Sequence, residues 1–599
     1  MTLIRKTLLA LVLGTTLLFN GCALKKMVKM AKDQQLTINP SPLEVHGDSV
    51  KFEMSALLPL KMLKKNKIYT VGTAYKYADQ KLELGSVEFK SNDFPNAKTE
   101  QPKIVHTFQF GYKPAIGNGD LVVKGTASNL TKSKNKSTEE MPVAKGLITT
   151  SRLVKDIFYV GYADHGYNNK EEYMPLLINF YFDQGRSVLK ESEMHGKHGK
   201  NLDAFIAKKN VTRTVNIVGE HSPEGSETKN SSLADERAKA IEKYYKERMK
   251  HYNYATKADS ISFVTKGIVM DWTPLKGMLD STTYLTAEEK AQVLNIVNGA
   301  GSFTSKEGEI EKLPFYKKNI LAHIYPKLRT ARTEILVVKP KKTDAEITLL
   351  AKGISDGTIK PDTLNEQELA YAGTLTPILK EKEGIYIALT KKNDSWVSHN
   401  NLGAVYLEMA KKEIDQNQKM KLVDMALGQF DIANKKKENS AIVVTNIASG
   451  LAMKNMKPEA MVQLDKASTL EGNDDVKKGM NSVRGALEIK AGKYNEAVQS
   501  LSKAKETPEV LYDLALANLL KKDFSAAKSG FAQVTSLAPN DAWGFYLSAV
   551  TAARMKDEGT INTNLKKAVA LDKSLTAKAM SDLEFEQYWN SAGFKDAIK

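Results

Sequence analysis

Apolar and polar residues alternate along residues 36–154. Val50, Phe52, Met54 and Ala56 are separated by Lys51, Glu53 and Ser55, which is the period of a strand with one buried face. Similar β-rich runs fall at residues 69–75, 87–89, 104–110 and 121–125. Gly117-Asn118-Gly119-Asp120 tolerates positive φ and predicts a turn between the last two. Five or more short strands in ~120 residues predict an all-β sandwich of immunoglobulin type. The lysine- and serine-rich residues 131–140 are expected to form a solvated loop.

From residue 343 the pattern changes to helix formers, and a small–large–small triplet recurs: Ala426/Phe430/Ala433, Ala460/Leu464/Ala467, Ala497/Leu501/Ala504 and Ala527/Phe531/Val534. The third positions step by 34, 37 and 30 residues, and Ala568 follows after another 34. Leu402-Gly403 with Tyr406 supplies a first-helix pattern, Gly492-Lys493-Tyr494 a turn between helices, and Pro539 a repeat end. This region resembles tetratricopeptide repeats, in which small residues let paired helices approach and a large one fills the gap. The resemblance implies an all-α solenoid over residues 343–599 whose concave face takes a protein partner. Tyr406 and Ala426 are 20 residues apart, so the first repeat is expected to carry an insertion.

Between these regions, residues 215–238 read as a short strand (Val215, Ile217), a glycine-containing turn and a helix. Gly219, Gly225, Ser226, Asn230, Leu233, Arg237 and Ala238 match the spacing Gly-His-Thr-Asp-x-x-Gly-Ser-x-x-x-Asn-x-x-Leu-x-x-x-Arg-Ala. Residues 178–182 with Ser187-Val188-Leu189 match an opening strand and first helix. The stretch resembles the C-terminal domain of outer-membrane protein A (OmpA), a module that binds the cell wall. The resemblance implies an α/β OmpA-like domain over residues 175–340, with a further strand at 261–264, a helical insertion at 272–316 in which Leu285-Thr286-Ala287-Glu288-Glu289 resembles a helix start, and a closing strand at 333–338. It also implies that Arg237 and Asn230 contact the diaminopimelate peptide of peptidoglycan. An arginine fork suits that ligand's carboxylate. The family's ligand-binding aspartate is Ser222 here, and Glu224 two residues on is the candidate replacement.

At the N-terminus, Arg5 and Lys6 precede an apolar run from Leu8 to Phe19, then Asn20-Gly21-Cys22. This has the order of a signal peptide. Cys22 is the only cysteine, and its setting resembles a bacterial lipobox, with Phe19 and Asn20 departing from the usual residues. The resemblance implies a leader at 1–21, a fatty-acylated Cys22 (palmitate among the chains), a linker at 22–35, and an outer-membrane anchor facing the periplasm. With one cysteine, no internal disulfide is available.

Composition narrows the function classes. The 599 residues carry a net charge of +17, with 26% charged and 42% hydrophobic residues. The lysines are dispersed, not gathered into a basic face with stacking aromatics, so no nucleic-acid partner is predicted. No run of about 20 apolar residues predicts a membrane span. His195 and His198 lack acidic or cysteine partners at ligand spacing, so no metal is predicted. Ser222 is not in a Gly-x-Ser-x-Gly elbow, His221 reads as a turn residue, and no phosphate-cradling loop occurs. Neither a cofactor nor an enzymatic activity is expected. The sequence therefore predicts a multidomain scaffold of β-sandwich, OmpA-like domain and repeat solenoid, tethering a protein partner to the wall. Its alternative is an assembly factor for secretion, motility or surface-fibre machinery that does not bind the wall.

Overall fold

The computed structural model describes residues 23–599 except Met270. The predicted leader and Cys22 lie outside the described residues. The chain folds as two units. One joins the residues up to Gly166 with Asp344–Lys599, and the other is Tyr167–Thr343.

The first unit begins with a helix over residues 23–30. Its apolar side, Leu24 and Met27 together with Ala31, is buried in the core of the β region. Residues 23–33 of the expected linker are thus a docked helix with a final 3-10 turn, because three apolar residues at helical spacing share one face. Two five-stranded sheets follow. The first holds β1 (Gln35–Asn39), β2 (Leu43–His46), β3 (Ser49–Leu57), β6 (Lys103–Gly111) and β10 (Leu147–Ile148). The second holds β4 (Lys67–Tyr77), β5 (Gln80–Lys90), β7 (Gly119–Asn129), β8 (Asn135–Ser137) and β9 (Met141–Lys145). Val50, Phe52, Met54 and Ala56 of the first sheet share one apolar cluster with Tyr69, Val71, Tyr75 and Phe89 of the second. Residues 117–120 are not a hairpin turn. Gly119 and Asp120 already open β7, and residues 112–118 carry the chain from β6 in one sheet to β7 in the other. The expected loop at 131–140 contains β8, whose three residues are all exposed.

The helical part of this unit stacks in antiparallel pairs: Trp396–Lys412 with Gln416–Lys436, Ala441–Met453 with Lys457–Ser468, Asp474–Lys490 with Tyr494–Leu501, Pro508–Leu520 with Phe524–Leu537, and Ala542–Arg554 with Glu558–Leu571. Each first helix also touches the next first helix, as tetratricopeptide-type repeats do. Ala426, Phe430, Ala433, Ala460, Leu464, Ala497, Ala527, Phe531, Val534 and Ala568 are all fully buried. Close approach explains Gly403: a Cβ there would lie 2.6 Å from the Phe430 ring. In the first pair the extra residues lengthen the second helix to 21 residues.

The β region packs against the last repeats. Arg554 bridges Glu44 of β2 (2.9 Å) and Glu584 (2.7 Å), and His46 bonds the Tyr494 hydroxyl at 2.9 Å. Sandwich and solenoid therefore share one unit although about 180 residues of the second unit separate them in sequence.

In the second unit β11 (Tyr173–Tyr181), β12 (Thr212–Gly219), β13 (Ser262–Gly267) and β14 (Thr330–Val338) form one sheet in the order β11-β14-β12-β13. β12 and β13 are parallel, and β14 is antiparallel to both its neighbours. Helices Lys197–Ala207 and Glu227–His251 cover it through Leu202, Ile206, Ala238, Ile241 and Tyr245. Ser187-Val188-Leu189 is irregular chain rather than the expected first helix, which starts only at Glu191. The insertion forms helices Thr273–Ser281, Ala287–Asn298, Phe303–Glu311 and Tyr316–Ile324 around its own core of Leu275, Leu279, Val293, Val297, Ile310 and Ile320. Thr286 and Glu289 close a capping box at the start of the second of these.

Candidate functional site

In the second unit, β12 ends at Gly219 and the chain loops to the helix that starts at Glu227. A Cβ on Gly219 would lie 1.8 Å from the Ala234 carbonyl oxygen, so only glycine lets that helix cross the strand end so closely. Gly225 takes φ +98°, which turns the loop back toward the helix start.

The four residues expected at the site, Arg237, Asn230, Ser222 and Glu224, all line one cleft of about 500 Å3. Arg237 is 1% exposed. Its Nε donates to the Arg186 carbonyl (3.0 Å), Nη1 to that of Glu220 (2.8 Å) and Nη2 to that of Asp183 (3.2 Å). The guanidinium also sits 5.4 Å from the centre of the Phe182 ring. Burial, then the neighbouring Arg329 cation, lowers its pKa to about 10, so it remains charged at neutral pH. Asn230 donates to the carbonyls of Glu224 (3.2 Å) and Gly225 (3.4 Å), pinning the loop.

Ser222 and Glu224 have a shared partner that sequence reasoning did not single out. Arg329 Nε donates to Ser222 Oγ at 3.1 Å and to Glu224 Oε1 at 2.8 Å, and its Nη2 lies 2.6 Å from the same carboxylate oxygen. Glu224 Oε2 is buried without a hydrogen-bond partner. Glu224 thus neutralises Arg329 instead of standing free. The insertion supplies Glu311, Tyr316, Lys317 and Leu321 to the lining of the same cleft. On the same insertion, burial and then the Glu311 charge raise the pKa of Glu307 to about 7. Burial likewise lowers the pKa of His221, which bonds the Ser222 carbonyl at 2.7 Å. His195 is exposed beside Glu191, while His198 bonds Glu193 at 2.9 Å. Among the described residues no group of three His, Cys, Asp or Glu is placed to hold a metal.

In the first unit, the face made by the first helices of the repeats holds a piece of the same chain. Residues 154–166 are neither helix nor strand. Gly161 N–H donates to Asn446 Oδ1 (2.8 Å), and the Gly161 carbonyl accepts from Asn446 Nδ2 (2.8 Å) and Asn400 Nδ2 (3.1 Å). Ala163 makes the same two-way exchange with Asn401, at 2.7 and 3.1 Å. Tyr159 N–H donates to Ser449 Oγ (3.1 Å) and Lys155 N–H to Asp513 Oδ1 (2.8 Å). The three asparagines are at most 1% exposed. Buried carboxamides at residues 400, 401 and 446 were the available sequence signal, since such groups need partners.

No family model matches the chain, and no curated protein matches it. Several solved structures are similar to its repeat region. YrrB, "a TPR protein with an unusual peptide-binding site", is 21% identical over 32% of this chain and 97% of its own, with a TM-score of 0.26. The C-terminal part of a repeat protein from Cytophaga hutchinsonii is 20% identical over 39% and 92%, with a TM-score of 0.29. PilW, a type IV pilus biogenesis factor, is 17% identical over 43% and 100%, with a TM-score of 0.26. The repeat fold rests on the helix pairing described above.

Proposed function

We propose that this protein is a lipid-anchored scaffold of the outer membrane, facing the periplasm, which holds peptidoglycan in the cleft around Arg237 and a protein partner on its repeats. In this reading the second unit is an OmpA-like domain. The observation that carries the proposal is the buried Arg237 cation lining a cleft together with Asn230, Ser222 and Glu224. Three of its N–H groups serve main-chain carbonyls, which leaves one on each Nη for a ligand carboxylate. With Glu224 engaged by Arg329, Glu311, which also lines the cleft, is the acid available for the diaminopimelate ammonium. A basic patch close to Cys22 in the sequence supports anchoring there. Lys25, Lys26 and Lys29 are exposed on the first helix, and Lys26, Lys61 and Lys98 are close enough to lower the pKa of Lys64, after burial. Such a patch suits anionic headgroups.

One observation favours a second reading, an assembly factor that does not bind the wall. The three carbonyl bonds of Arg237 tie its helix to the loops after β11 and β12, a structural task that needs no ligand. Sedimentation with purified peptidoglycan separates the two. Wild type is expected in the pellet and Arg237→Ala, checked for fold by circular dichroism, in the supernatant. Equal sedimentation removes wall binding through this cleft and leaves the assembly reading.

A further inference from the structure

The face lined by the first helices reads a main chain. Its hydrogen bonds to the main chain of residues 155–163 fall at odd-numbered positions (155, 159, 161, 163), as an extended chain presents them. They come from three different first helices: Asp513 on Pro508–Leu520, Ser449 and Asn446 on Ala441–Met453, and Asn400 and Asn401 on Trp396–Lys412, while Asp541, just before Ala542–Arg554, pairs with the Lys155 side chain (Nζ) at 2.6 Å.

Side chains add selectivity at three places. A Cβ on Gly161 would lie 2.7 Å from Ile442 Cγ1, so that position takes glycine. Gly479 faces the Tyr159 ring, and a Cβ there would lie 1.9 Å from it, so the helix is notched for an aromatic. Tyr162 donates to Glu408 Oε2 at 2.9 Å and stacks on Tyr386 with ring centres 6.2 Å apart. A cavity of about 590 Å3 stays open along residues 156–160, between Lys411, Asp475, Ser482 and Lys505, so the groove is wider than its occupant.

We propose that this groove is a binding site for an extended peptide with glycine between two aromatic residues, and that residues 155–163 are its resident ligand in cis. An outside segment of that chemistry enters by displacing the strap, through the open side. The covalently attached strap competes at an effective concentration of about millimolar, so the groove of the intact protein is closed to weak binders.

The test replaces residues 154–165 of the full-length chain with a Gly/Ser segment of equal length. It measures binding of a fluorescent peptide, LVKDIFYVGYADHG (residues 153–166), by anisotropy. The Gly/Ser chain is expected to bind it, wild type to bind roughly 100- to 1,000-fold more weakly, and the peptide carrying Gly161→Val to bind at least about tenfold more weakly than the parent peptide. If the Gly/Ser chain does not fold, the chain carrying Tyr159→Ala and Tyr162→Ala keeps the groove and loosens the strap, and serves in its place. A folded, loosened chain that fails to bind the peptide overturns the proposal. So does wild type binding as tightly as the loosened chain.

Discussion

Gly161 and Asn446, 285 residues apart in the sequence, exchange a pair of hydrogen bonds: Gly161 N–H to Asn446 Oδ1 and Asn446 Nδ2 to the Gly161 carbonyl, each at 2.8 Å. The carboxamide does here what a neighbouring strand would do. It satisfies both main-chain groups of a buried glycine that belongs to no sheet.

Asn446→Ala removes one of those partners outright and strands the Gly161 N–H. The cost is about 1–3 kcal/mol, roughly one to two decades in local opening. Hydrogen exchange of peptides spanning residues 157–165 should accelerate by that factor, while the helices of the last repeats keep their protection. Unchanged exchange in the segment contradicts the role given to Asn446.

Gly479→Ala and Gly428→Ala form a matched pair. The first drives a methyl into the Tyr159 ring and should destabilise by about 1–3 kcal/mol. The second, inside helix Gln416–Lys436, meets nothing within 4 Å and should stabilise by about 0.5–1 kcal/mol through helix propensity. Denaturant unfolding of both variants checks the signs. Equal effects contradict the close fit at Gly479.

Glu307 gives the second unit a pH dependence. Its folded pKa, about 7, lies above the ordinary 4.5, so the folded chain binds the proton more tightly than the unfolded one. The stabilisation is complete below about 4.5 and is lost as pH rises through 7. Glu307→Gln should therefore melt higher than wild type at pH 8, by about 1–3 kcal/mol in stability, and show little difference at pH 4. Thermal melts at the two values decide it, and an advantage confined to low pH contradicts the assignment.

Cys22→Ala tests the anchor. Labelling with a palmitate analogue is expected to vanish in that variant, since no other cysteine exists. Labelling that persists rules out acylation at Cys22.

The two regular patterns in the sequence carried over directly. Alternation at residues 50–56 gave β3 with its buried face, and the small–large–small triplets gave the second helices, because both depend on local periodicity against a core. The four residues singled out by spacing line one cleft. Its pairing was not legible in that spacing, since Arg329 reaches Ser222 and Glu224 from more than 100 residues away. The strap was invisible for the same reason. Residues 154–166 have no helical or strand period of their own, and their order comes from asparagines brought to them by the repeats.

In the proposed function, the cleft around Arg237 recognises the free carboxylate of diaminopimelate. Calorimetric titration of the full-length protein with a soluble wall peptide ending in diaminopimelate, against the same peptide with lysine in its place, isolates that group, because lysine lacks only the carboxylate. The diaminopimelate peptide is expected to bind, with a loss of about one to two decades when lysine replaces diaminopimelate, the worth of a charge-assisted hydrogen bond. Equal affinity for the two peptides, or no heat with either, contradicts this reading.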